Sequence, residues 1–188
     1  LSMPPRLPKD KTKLRLAKMG PKKEAYLKEW AKRHGYSQGT PCGAHINLSI
    51  DQHIIELVLN AFPERFNSER EVRNYLYTIL AQGFVRYRWL LTYLYGASPI
   101  VEENYFEPGK ELPHPIRSVR QSQYGFGTKF TGDFTNLDRY IARIEEGVKA
   151  GILTSDYEFH GPVRFKGNAD LKKLPEHGIE YLELRMLD

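Results

Sequence analysis

Two segments far apart in the chain, CGAHINLSI around residue 45 and GIEYLELRMLD at the C-terminal end, alternate strictly between apolar and polar side chains. Successive side chains of a β-strand point to opposite sides, so this pattern predicts strands with two unlike faces. In the first, Ala44, Ile46, Leu48 and Ile50 share the apolar face, while Gly43, His45, Asn47 and Ser49 share the other. In the second, Leu182, Leu184 and Met186 oppose Tyr181, Glu183 and Arg185. If both apolar faces cover one core, His45, Asn47, Glu183 and Arg185 meet on the concave side of one sheet. An imidazole, an amide, a carboxylate and a guanidinium suit a metal ion and phosphate.

Elsewhere the period is helical. Gly20 and Pro21 open a helix whose inner stripe is Ala25, Tyr26, Trp30 and Ala31, and Gly35 ends it. Asp51 caps a short helix to about Ala61, before Pro63. Ser68 and Glu71 have capping-box spacing ahead of a long helix through Val72, Leu76, Ile79, Leu80, Leu90 and Leu94 to Gly96. An acidic, proline-containing loop follows, then a strand expected over Ile116 to Arg120 and a flexible loop through the glycines of QYGFGTKFTGD. Thr135 is the expected cap of a helix with the stripe Leu137, Tyr140, Ile141, Ile144 and Val148, stopped by Gly151. FHGPVRFKG is a further strand candidate, with Pro162 pointing to an edge or bulge. Helices interspersed with strands solvated on one face predict an α+β class, an antiparallel sheet flanked by helices. The proline-rich residues 1–20 predict an extended arm, and 21–188 a single domain.

A chain of 188 residues is long enough to bury a core. It has no apolar run near the roughly 20 residues of a membrane span and no signal-like segment, so a cytoplasmic protein with no membrane partner is expected. The single cysteine, Cys42, cannot form an internal disulfide and is expected as a small buried strand residue. The net charge of +5 gathers near the start, where residues 6 to 33 carry eleven Lys or Arg against Asp10, Glu24 and Glu29. A solvated helix face accounts for this. A surface for nucleic acid, with Tyr26 and Trp30 interleaved, is the alternative.

Imidazole and carboxylate both ligate Mg²⁺ or Mn²⁺, with oxygen preferred by Mg²⁺. On pattern alone, His45 equally suits a hydrogen-bonded interior residue, and Glu183 with Arg185 a surface ion pair. The chain contains no phosphate-cradling glycine loop, dinucleotide fingerprint, nucleophile elbow, zinc-spaced Cys/His set or HExxH. What remains is positioning and electrostatics, the means by which metal and arginine stabilise a transferring phosphoryl group.

The segments SMPP, CGAHINLS, YLYGASP, SVRQSQYGFG, GPVR and GIEYLELRMLD occur in one order over nearly the whole chain. In order and approximate spacing this set resembles the bacterial glutamate–cysteine ligases, whose corresponding segments read like SGVHYNFS, YLFGASP, SLRxSxxGY and GIEYIEVRSLD. The resemblance implies a glutamine-synthetase-like fold with a funnel-shaped sheet. It also implies ATP-dependent joining of the γ-carboxylate of L-glutamate, through γ-glutamyl phosphate, to L-cysteine, the first step of glutathione synthesis. By position, His45 and Glu183 match metal ligands for Mg²⁺ (or Mn²⁺). Arg185 matches the arginine beside the reacting phosphate, and Arg120 the one that holds glutamate. Tyr26 and Phe126 fall near the cysteine substrate; Phe126 stands where the family usually has tyrosine, and Gly39, Thr40 and Pro41 where it has Gln-Thr-Ile. Asn47 and Arg164 fall on the ATP side. A ligase of the same fold with another acceptor amine is the nearest alternative. Because the recognised motifs offer a single carboxylate, Glu183, the chain is expected to be an internal part of a longer enzyme, partnered by its remaining segments and inactive alone.

Overall fold

Capping chemistry sets the helix boundaries. In the computed structural model, which describes residues 3–15, 18–126, 130–167 and 171–188, with Lys22 lacking a described side chain, Pro21 opens α1 (Pro21–His34) and Gly35, at φ 81°, closes it. The Asp51 carboxylate accepts from the His53 N–H to start α2 (Gln52–Ala61). At the head of α3 (Glu69–Tyr95), Ser68 Oγ accepts from the Glu71 N–H at 3.3 Å. The Glu71 carboxylate reaches back to the Asn67 N–H at 2.8 Å, one residue earlier than a capping box requires. The cap of α4 (Leu137–Lys149) is Asn136, which accepts from the Arg139 N–H at 2.8 Å, and not Thr135. Thr135 is engaged one step upstream, its N–H given to the Asp133 carboxylate at 2.9 Å. A short α5 (Leu174–His177) ends at Gly178.

Three strands, β1 (Ala44–Leu48), β2 (Val163–Lys166) and β3 (Tyr181–Leu187), form a small sheet in the order β1-β3-β2. β2 and β3 run antiparallel, with Arg164 opposite Glu183 and Lys166 opposite Tyr181. The class is α+β. Pro162 precedes an edge strand, where its missing N–H costs no ladder bond. Residues 116–120 do not form the expected strand: pairing stops at one parallel bridge, Ser98 with Ser118. Pro99 has no N–H to extend that ladder, and Arg117 turns its guanidinium to the carbonyls of Tyr93 and Leu94 at the end of α3.

The chain divides into two compact units, one gathering Leu1–Ala44, Leu90–Lys129 and Leu187–Asp188, the other His45–Trp89 and Phe130–Met186. In the first, the proline-rich start is extended but docked: the Leu7 N–H donates to Glu103 O at 3.0 Å, the Glu102 N–H donates to Pro4 O at 3.1 Å, and Leu7 is buried. On α1, Trp30 and Ala31 are buried, whereas Ala25 of the expected stripe is exposed. Cys42 is exposed as well, lying just before β1 and not within a covered strand. Of the expected glycine loop, residues 127–129 lie outside the described residues. Gly125 serves close packing there: a Cβ would stand 2.1 Å from the Arg120 carbonyl oxygen.

The second unit holds nearly all of the sheet. Leu182, Leu184 and Met186 of β3 are buried, as alternation predicts. Behind it lies an aromatic cluster, with Tyr140 4.5 Å from Phe165 and 5.8 Å from Phe159 between ring centroids. A second cluster joins Ile55, Phe66 and Val72, with Ile50, Val58, Leu59, Tyr75 and Leu76 against it. The expected apolar face of β1 is not buried: Ile46 is 46% exposed and Ala44 is also open. β1 is an edge strand, and no described element covers Ile46.

The long helix fixes where the strands begin and end. Buried Tyr77 of α3 donates its hydroxyl to Glu180 O at 2.5 Å and accepts the Ile50 N–H at 3.0 Å. Asn74, one turn earlier, accepts the Ile179 N–H at 2.8 Å. Removing the hydroxyl strands a backbone donor and a backbone acceptor. Tyr77→Phe is expected to lower unfolding free energy by about 2 kcal/mol with little change in denaturant slope, read by urea titration of the purified chain.

Candidate functional site

The polar face of β3 supplies Glu183 and Arg185, two residues apart and each with 14% side-chain exposure. Three nitrogen-bearing side chains surround the one carboxylate. Arg185 Nη1 lies 3.2 Å and Lys166 Nζ 3.5 Å from Glu183 Oε2, while His45 Nδ1 of β1 lies 3.2 Å from Oε1. Burial opposes ionisation of Glu183. The charges of Arg185 and Lys166, the hydrogen bond from Arg185 and the charge of His45 outweigh it and hold the carboxyl below its usual range. Burial likewise pulls the Arg185 pKa down; Glu183 counters this and Arg164 adds to it.

Arg164 follows from its register opposite Glu183. Its guanidinium donates to Asp156 O at 3.3 Å and its charge acts on the Tyr140 hydroxyl, while its Nε is buried without a partner. Burial pushes the Tyr140 phenol up to about 12, so it stays protonated. Burial also pushes His160 down to about 4, the nearby Arg185 and Arg164 working in the same direction. The ring is neutral, and its Nδ1–H donates to Glu158 O at 2.7 Å. Asn47 is exposed on β1, two residues along from His45.

Of the residues singled out by sequence, His45, Asn47, Arg164, Glu183 and Arg185 lie in the second unit, and His45, Glu183 and Arg185 are in direct contact. Tyr26, Arg120 and Phe126 lie in the first. There Phe126 packs edge-on against Trp30, ring centroids 5.0 Å apart, and Tyr26 is half-buried on α1. Arg120 Nη1 donates to Leu187 O at 2.9 Å, and its guanidinium lies so close to Gly43 that a Cβ there would stand 2.2 Å from Cζ. Lys166, Tyr140 and His160 were not among the sequence candidates. Lys166 was within reach, since GPVRFKG puts Arg164 and Lys166 at the alternate positions of one strand face.

Among the described residues no group of three or more His, Cys, Asp or Glu could hold a metal ion. What this unit offers is the pair His45 Nδ1 and Glu183 Oε1, 3.2 Å apart. Adjacent donors around an octahedral Mg²⁺, with bonds of about 2.1 Å, are separated by about 3 Å. The pair therefore fits two positions of one ion, the others being open to waters or phosphate oxygens. A partly desolvated face with arginine and lysine cations, one carboxylate and a buried unpartnered guanidinium N–H has the chemistry to hold an anionic ligand.

Comparison with known proteins makes the class specific. The sequence pattern of the glutamate-cysteine ligase family matches residues 1–151, and the chain belongs to that family. It is similar to the glutathione biosynthesis bifunctional protein GshAB of Enterococcus faecalis, 36% identical over 192 residues, covering 100% of this chain and 25% of that protein. The corresponding protein of Pasteurella multocida is 33% identical over 193 residues, again with 100% and 25% coverage. The crystal structure of a bifunctional glutathione synthetase from Pasteurella multocida superposes with a TM-score of 0.84 at 31% identity, over 100% of this chain and 24% of that one. The chain thus spans about a quarter of the length of the curated relatives it matches. Among the described residues no helix is long and apolar enough to cross a membrane.

The neutrality of His160 has a measurable consequence. With the folded pKa near 4 and the unfolded one near 6.5, the unfolded chain binds the extra proton between those values. His160 therefore subtracts stability as pH falls from about 6.5 towards 4, with a slope of up to about 1.4 kcal/mol per pH unit. His160→Gln is expected to flatten the stability–pH curve in that window and leave its slope above pH 7 unchanged, as measured by urea unfolding at a series of pH values.

Proposed function

We propose that this chain forms part of the catalytic core of an ATP-dependent ligase that joins the γ-carboxylate of L-glutamate to the amino group of L-cysteine. What carries the reading is the 3.2 Å juxtaposition of His45 and Glu183, flanked by Arg185 and Lys166, in a chain of this family. Phosphorylation of the γ-carboxylate turns a poor leaving oxide into phosphate, so the cysteine amine can displace it and release ADP and phosphate overall. This route needs no covalent nucleophile on the protein.

In the second unit, His45 and Glu183 would hold a Mg²⁺ (or Mn²⁺) ion, which when bound would neutralise charge on the phosphate oxygens. Glu183 suits this because its surroundings keep it ionised. Arg185 remains a cation on the same face and would stabilise charge on the transferring phosphoryl oxygens. Arg164, with its unpartnered Nε, and Asn47 would serve the ATP side. In the first unit, Arg120 would take a carboxylate of glutamate in the forked geometry that guanidinium favours, and Tyr26 and Phe126 would pack near the cysteine thiol. We assign the protein to the cytoplasm, with L-glutamate, L-cysteine and ATP as substrates and the remaining segments of a longer ligase as partners in the work.

The test is ADP release by the protein that carries this chain, measured with ATP, Mg²⁺, glutamate and cysteine. Release is expected only when glutamate is present and is expected to be fastest with cysteine; a faster reaction with another amine would assign the acceptor differently. Arg185→Lys should slow turnover by about a hundredfold or more, since lysine cannot reproduce the fork. Glu183→Gln should shift half-saturating Mg²⁺ upward by about tenfold or more. Parental rates and Mg²⁺ dependence in both variants would overturn the assignment.

A further inference from the structure

A second polar cluster, in the first unit, does not belong to the cationic face. Ser98 Oγ donates to Asp188 Oδ2 at 2.8 Å, Ser118 Oγ donates to Oδ1 at 2.9 Å, and the Ala97 N–H also donates to Oδ2 at 2.9 Å. Ser98 and Ser118 are buried, at 0% and 4% exposure. A carboxylate only accepts, so each hydroxyl spends its single proton on Asp188. Their oxygens face one another at 3.2 Å and are left as acceptors. Ser98 Oγ receives the Arg120 N–H at 3.3 Å, and Ser118 Oγ the Gln121 N–H at 3.0 Å. The carboxylate thereby fixes which way both hydroxyls point, and that orientation holds the turn carrying Arg120.

The same aspartate anchors the far end of the arginine. Its neighbour Leu187 supplies the carbonyl that accepts from Arg120 Nη1 at 2.9 Å. Arg120 is thus held at its backbone and at its guanidinium by two consequences of one anchored residue. Two close glycines complete the frame, since a Cβ on Gly43 would meet the guanidinium and one on Gly125 the Arg120 carbonyl. Nothing in this arrangement leaves the guanidinium free to search for its ligand.

We propose that Asp188, acting through Ser98 and Ser118, is a positioning residue that sets the direction of the Arg120 guanidinium towards a substrate carboxylate. The proposal rests on the reading of Arg120 as the group that holds glutamate. It does not require that Asp188 touch substrate. A positional role of this kind acts on the affinity for one substrate and spares the others.

The experiment uses Asp188→Leu, Asp188→Asn and Ser98→Ala in the protein that carries this chain, with steady-state ADP release and amide hydrogen exchange at Arg120 as readouts. Asp188→Leu is expected to raise KM for glutamate by about tenfold or more while KM for ATP and for cysteine stays within about twofold. Asp188→Asn keeps an accepting oxygen for Ala97 and Ser98 and should recover most of the glutamate affinity. Ser98→Ala, the smaller change should the leucine variant not fold, should speed exchange of the Arg120 amide and raise KM for glutamate in the same selective way. An unchanged KM for glutamate, or an equal rise in all three KM values, in an active parent overturns the positioning role alone. A parent that releases no ADP in response to glutamate overturns the ligase reading, and this inference falls with it.

Discussion

One half-desolvated carboxylate organises the polar face of the sheet. Glu183 sits on the central strand with guanidinium, ammonium and imidazole groups within 3.5 Å of its two oxygens. Taking a carboxylate out of water is costly unless opposite charge replaces the lost hydration. Here the replacement is divided: Oε2 answers to Arg185 and Lys166, and Oε1 to His45. That division leaves one oxygen neutralised by fixed cations and the other paired with a group that can equally become a metal ligand. The carboxylate is thus balanced by the protein's own groups on both of its oxygens.

Bonding to backbone groups ties the scaffold behind this face to the long helix. Tyr77 and Asn74 of α3 satisfy the chain just after β1 and just before β3, so the helix dictates where the strands stop and start. Beneath the sheet, the Tyr140 ring packs in the aromatic cluster while its hydroxyl meets Arg164. A single side chain therefore links apolar packing to the cationic surface. His160, neutral beside two arginines, adds no further positive charge where repulsion is already high.

Much of this was legible in sequence because local rules govern it. Proline at the first turn and glycine after the last bounded α1, Asp51 capped α2, and period-two alternation put Glu183 and Arg185 on one face of β3. What escaped depended on facts no single segment contains. Alternation in β1 shows that its faces differ but not which face finds cover, and Ile46 lies open on an edge strand. Lys166 becomes a neighbour of the site only through the β2–β3 register, which pairs Arg164 with Glu183 and brings the next residue but one of the same face beside it. Thr135 and Asn136 are both competent caps, and the nearby Asp133 carboxylate decided between them. The 116–120 segment has strand character, yet Pro99 halts its ladder after one bridge. The serine–aspartate cluster joins three distant stretches by hydroxyl protons, which leave no periodic trace.

The strand order carries a consequence for how the chain comes into being. β3 lies between β1 and β2 although it is the last of the three to leave a ribosome. Until it emerges, the two earlier ribbons have no ladder to join, and β1 waits longest, with more than a hundred residues that include α2, α3 and α4 made before β3. Helices α2, α3 and α4 can shelter their own apolar stripes meanwhile, but the charged constellation cannot exist before β3 is made, since Glu183 and Arg185 lie on it. Assembly of the charged face thus waits on the synthesis of β3, and a translation product arrested before that strand would expose unpaired strand edges in its place.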